Sequence, residues 1–156
     1  MNIDLRTVAI LTGIIYSLLT IALIMQYMLN RSYKGTGWWA GGCFMLAAGS
    51  VLLLLRDVKS IELISIFFAN ICFLAGFVLL YTGTRRFIER KGELRLIIPV
   101  TAVFLLLTWY FIFITRNADL RVVVLYSASL VFIFLISYDL FFNRISSIRV
   151  SANFTA

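Results

Sequence analysis

Histidine is absent from these 156 residues, proline occurs once, and acidic residues number seven. Without histidine the chain lacks the commonest metal ligand and the usual proton shuttle near neutral pH. Only two cysteines are present, Cys43 and Cys72, both inside apolar runs. Thiols in such surroundings act as packing residues, so neither a disulfide framework nor a thiolate metal site is expected. No Gly-rich phosphate loop, nucleophile elbow, zinc spacing or kinase signature occurs. The sequence therefore reads as no enzyme, with no cofactor. Charged residues make up 13% of the chain, about half of what a soluble domain carries. Disorder and an ordinary water-soluble core are both excluded by that figure together with 62% apolar residues.

What remains is the composition of an integral membrane protein. A helix needs about 20 apolar residues to cross the hydrocarbon core. Five continuous stretches meet or approach that length, at residues 7–30, 38–55, 61–81, 96–115 and 122–142. Each is bounded by Lys or Arg. The runs are continuous rather than alternating, which argues against a barrel. The sequence thus predicts an all-α polytopic membrane protein of five transmembrane helices in one domain. The first run is too long for a secretory signal and ends in Tyr27, Met28, Leu29 and Asn30 rather than small residues, so it reads as a retained helix.

Basic residues set the orientation. Nine Lys and Arg lie on the side holding the loops after helices 1 and 3 and the tail, against five on the other side. The positive-inside rule then puts the N-terminus outside and the C-terminus in the cytoplasm. Tyr27, Tyr33, Trp38, Trp39, Tyr81 and Tyr138 fall near the inner boundary, and Trp109 and Tyr110 toward the outer one. Such aromatics suit either belt anchoring or a ligand cage. The loop from Thr82 to Arg95 carries five basic residues and can extend helix 3. It suits a topology anchor or an anionic-lipid contact. The positive charge needs no nucleic acid to explain it; the lipid bilayer is the expected partner.

Small residues mark packing faces, because they let helices approach closely in lipid. Gly42 and Gly49 share a face of helix 2, and Ala69, Cys72, Gly76 and Gly83 form a stripe along helix 3. Helices 2 and 3 are expected to pack through these faces, with dimerisation as the other use. Asn70 lies near the middle of helix 3, where an unsatisfied amide is costly. It suits an interhelical hydrogen bond or a ligand contact. Thr12, Tyr16 and Thr20 recur every four residues on helix 1 and can supply a partner or line a polar cavity. Asp139 lies near the cytoplasmic end of helix 5, with Arg144 and Arg149 as candidate partners. Pro99 reads as a first-turn residue of helix 4. No charge lies at the bilayer centre, which disfavours ion-coupled transport.

One pattern runs through most of the chain: Asp4-Leu5-Arg6-Thr7, then Gly37-Trp38-Trp39-Ala40-x-Gly42, then Ala48-Gly49 and a Leu run ending in Arg56. Helix 3 adds Ala69-Asn70, Gly76 and Leu80-Tyr81-x-Gly83-x-Arg85-x-Phe87. This arrangement resembles the N-terminal membrane region found in prokaryotes ahead of GGDEF diguanylate cyclase domains or PAS and histidine-kinase modules. The resemblance implies a sensory input region in the cytoplasmic membrane, a homodimer, and a cytoplasmic signalling module. It also implies one or two further helices, so the sequence reads as the separated membrane part of a longer receptor. Residues 143–156 then form a tail leading to a sixth helix. Candidate ligand-binding or signalling residues are Asn70, Trp38, Trp39, Arg56, Tyr16 and Asp139. The competing readings are a passive anchor and a stand-alone small transporter or scaffold.

Overall fold

The computed structural model describes residues 5–30, 34–57, 61–88, 94–115 and 118–153, with side chains over 6–30, 34–56, 61–88, 97–115 and 120–141. Every regular element among them is helical. The order is α1 (Leu5–Leu29), α2 (Thr36–Leu54), a 3-10 turn (Leu55–Asp57), α3 (Glu62–Phe87), α4 (Leu94–Phe113) and α5 (Ala118–Asn153). Four helices are long and apolar enough to cross a membrane; the fifth, α4, has a shorter apolar stretch at Ile97–Phe113. Large apolar side chains cover much of the surface. Leu18, Met28, Leu29, Leu106, Phe134 and Phe141 are each more than 60% exposed. A surface of this kind aggregates in water and is at home in lipid.

α3 is the central element, with α2 on one side and α4 and α5 on the other; α1 packs on α2. α2 and α3 run antiparallel, and small residues meet every seven positions. A Cβ placed on Gly42 would lie 3.0 Å from the Gly76 carbonyl oxygen, and one on Gly76 would lie 3.1 Å from that of Gly42. A Cβ on Gly49 would lie 3.1 Å from the Ala69 oxygen, and one on Gly83 3.1 Å from the Gly35 oxygen. Backbone meets backbone at each step, so dispersion contacts accumulate where no water-driven effect operates between helices. Gly35 closes the ladder. Its φ of 116° is a left-handed conformation open to glycine, and the Gly83 carbonyl fills the space where a side chain would go. At the opposite end, the Ser65 hydroxyl donates to the Leu52 carbonyl, which also accepts from the Leu55 amide as α2 ends.

The other half of the bundle is aromatic. Phe77 of α3 stacks on Phe132 of α5 with centroids 6.0 Å apart, and Phe67 meets Phe113 of α4 edge-on at 5.7 Å. Tyr81, Ile97 and Phe132 form a buried cluster that joins α3, α4 and α5. A second cluster, Leu46, Ala69 and Phe73, lies in the α2–α3 half, with Tyr16 and Leu125 packed against it.

Three expectations change. α5 continues in helix through Asn153, across most of the stretch read as a tail, because nothing in Ile145–Val150 breaks a helix. α4 begins at Leu94, so Pro99 is its sixth residue rather than a first-turn residue. There its ring removes the amide that would meet the carbonyl of residue 95. α3 runs on to Phe87, six residues past the expected end, taking Arg85 and Arg86 into the helix.

Candidate functional site

Polar groups concentrate at the end where α2 begins and α3 finishes. The α2–α3 ladder sets the geometry there. With Gly83 bare, the Trp39 indole lies on the α3 backbone: a Cβ on Gly83 would come 2.5 Å from Trp39 Cδ1. Trp39 Nε1 donates to Thr84 Oγ1 at 3.2 Å, and the ring packs on Phe87 at 5.3 Å. Thr84 also donates to the Leu80 carbonyl, so one buried hydroxyl satisfies two groups. Trp38, next in the chain, carries the Arg86 guanidinium over its ring, 4.4 Å from the centroid. That distance suits a cation–π contact.

On the opposite side of α3, Arg85 turns toward α5. Its Nε lies 3.5 Å from Asp139 Oδ2, and both side chains are about nine-tenths buried, at 11% and 8% exposure. Its Nη1 donates to the Tyr81 hydroxyl one turn back, at 3.2 Å. The three groups form a compact set that ties the last turns of α3 to α5. Asp139 reaches it because it continues the buried stripe of α5, Val124, Ala128 and Phe132, facing α3 and α4. Among the described residues Asp139 meets Arg85; the expected pairing with Arg144 or Arg149 lies outside the described side chains. Asp139 is buried because its helix face is the packed one.

Asn70 is buried, but its amide nitrogen donates to the Ile66 carbonyl of its own helix at 2.8 Å, not across helices. A short amide side chain folds back onto the carbonyl one turn away without needing a second helix. Thr20 does the same to the Tyr16 carbonyl at 2.7 Å. Tyr16 is half-buried against the Leu46–Ala69–Phe73 cluster, far along α1 from the charged set. Arg56 lies in the 3-10 turn at the other end of α2. The structure thus brings Trp38, Trp39, Gly83 and Asp139 to one end of the bundle and leaves Asn70, Tyr16 and Arg56 apart. Gly42, Gly49, Ala69 and Gly76 lie on the α2–α3 contact, while Cys72 is half-buried on α3.

Tyr81, Thr84, Arg85 and Arg86 complete the site; the sequence marked Tyr81 as a boundary aromatic and Arg85 as a motif position, but placed none of the four among the candidate site residues. The signal was there in part: Tyr81 and Arg85 are four apart and share a face, and Asp139 follows Phe132 by seven. No group of three or more His, Cys, Asp or Glu that could hold a metal occurs among the described residues. Comparison with protein-family models, with curated proteins and with solved structures finds no match.

Proposed function

We propose that this chain is the membrane-embedded sensory input or anchoring region of a signal-transduction protein in a prokaryotic cytoplasmic membrane. In this reading five helices span the bilayer, with the N-terminus outside and the basic end in the cytoplasm. α4 spans with 20 helical residues, about 30 Å at 1.5 Å per residue. A change in α2–α3 packing passes through Arg85 to Asp139, and so to α5. α5 then carries it toward a cytoplasmic module. The observation that supports this is the Arg85–Asp139 link joined to a helix that continues unbroken to Asn153. A buried charge pair has two discrete arrangements, joined or parted, which is what a switching contact needs.

The test is a fusion of the whole chain to a reporter domain whose output depends on the geometry of a C-terminal pair. One to four residues are inserted between Asn153 and the reporter. A signal carried by a rigid helix makes output rise and fall with a period of about 3.6 residues. Asp139→Asn shifts the output at every phase. Output indifferent to both the insertions and Asp139→Asn identifies a passive tether and removes the sensory reading.

A further inference from the structure

Two neighbouring arginines at the end of α3 have opposite surroundings. Arg85 is buried and faces Asp139. Arg86 is exposed, lies on the Trp38 ring, and among the described residues no carboxylate pairs with it. We propose that Arg86, seated on Trp38, recognises the phosphodiester headgroup of an anionic phospholipid. The inference rests on the reading that this end of the bundle lies at a membrane surface.

Three observations carry it. Contact with the indole holds the guanidinium 4.4 Å from the ring centroid and leaves its N–H fork for an acceptor that offers two oxygens, as a phosphodiester does. Among the described residues no carboxylate takes up that charge. Apolar surface adjoins it: Phe87, the next residue, is 44% exposed while packing on Trp39. A cation beside exposed apolar surface fits an amphiphile better than a free phosphate. Lys34 lies exposed at the same end. It precedes Gly35, and a Cβ placed on Gly35 would lie 3.2 Å from the Phe87 nitrogen. The lipid would therefore sit on the contact that closes the α2–α3 ladder.

The full chain is reconstituted into vesicles containing a fixed minor fraction of lipid with brominated acyl chains, and tryptophan fluorescence is read. Brominated phosphatidylcholine quenches Trp109, which is 48% exposed, wherever the helices are inserted. Absence of that quenching rejects the membrane reading itself, separately from the headgroup site. Brominated phosphatidylglycerol is expected to quench further. The excess should match a roughly fivefold local enrichment, the equivalent of about 1 kcal/mol for one basic residue at the surface. Arg86→Gln abolishes the excess, Arg86→Lys keeps part of it, and Arg6→Gln at the other end leaves it whole. Equal quenching by the two lipids, an excess that survives Arg86→Gln, or one that Arg6→Gln removes equally well overturns the proposal. Loss of the excess on adding millimolar glycerol phosphate assigns the site to free phosphate and overturns the lipid.

Discussion

Replacing Asp139 with Asn keeps the volume of the side chain and deletes its charge. The Arg85 guanidinium, nine-tenths buried, then has no counter-charge at 3.5 Å. At that separation two unit charges interact by about 5 kcal/mol in an effective dielectric of about 20. Desolvation of both groups offsets much of this, yet removing one partner of a buried pair still costs about 3–5 kcal/mol, because the survivor is left uncompensated. Tyr81 softens the loss by holding one N–H of the guanidinium. Asp139→Asn and Arg85→Leu should therefore each cost about 3 kcal/mol. The double variant Arg85→Leu with Asp139→Asn should cost less than the sum of the two single changes, since no orphaned charge remains. The measurement is unfolding of the purified protein in mixed micelles as the SDS fraction rises, followed by tryptophan fluorescence. Non-interacting sites add to within about 0.5 kcal/mol. A double variant whose cost equals the two single costs within that margin would refute the claim that Arg85 and Asp139 hold α3 to α5.

Four further outcomes are expected. Gly42→Ala and Gly76→Ala each push a methyl group to 2.8 Å from a leucine branch and should cost about 1–3 kcal/mol in the same titration. Gly37→Ala meets only the Tyr27 ring at 3.5 Å and should change stability by less than about 0.5 kcal/mol; an equal loss at all three positions would show that the ladder is not special. Thr84→Val takes away the acceptor of Trp39 Nε1 and should cost about 1 kcal/mol while altering the tryptophan emission. Asn70→Leu should leave insertion intact and change the output of the reporter fusion; unaltered output would strike Asn70 from the signalling residues. Single cysteines at Arg6 and Lys34, in a background lacking Cys43 and Cys72, should label from opposite sides of the membrane, with Arg6 outside; labelling of both from one side would dismiss the five-span topology.

The helices were legible because apolar length is a cumulative signal. α1 to α5 each cover nearly all of the apolar run that marks them, and the differences lie at their ends. Those ends were misjudged for a physical reason. Thr82 to Phe87 and Arg144 to Asn153 are polar enough to read as loops, but nothing in them opposes helix once a long helix is already nucleated. The meeting of Gly42 with Gly76 could be anticipated in kind, since small residues at sevenfold spacing advertise close approach. Gly83 belonged to that expected stripe, but its partner Gly35 could not be anticipated, because Gly35 stands outside the apolar run. The polar residues were harder. Asn70 attracts notice by its depth, yet a side chain that can satisfy itself on its own helix gives no sign of that in the sequence. Asp139 was ranked with the arginines nearest in the chain, while its partner lies 54 positions earlier on another helix. Charge pairing across a bundle depends on which faces oppose each other, and five apolar runs do not determine that.

The length of α5 has a mechanical consequence. From Asp139 to Asn153 the helix extends by about 21 Å, at 1.5 Å per residue over the intervening positions. The contact with Arg85 is a pivot at the twenty-second of the 36 residues of a stiff rod. A tilt of about 10° around it carries the far end sideways by about 4 Å, an estimate from the same helical rise. Movements too small to disturb side-chain packing around Tyr81 and Phe132 are thus magnified at the tip to more than the width of an atom.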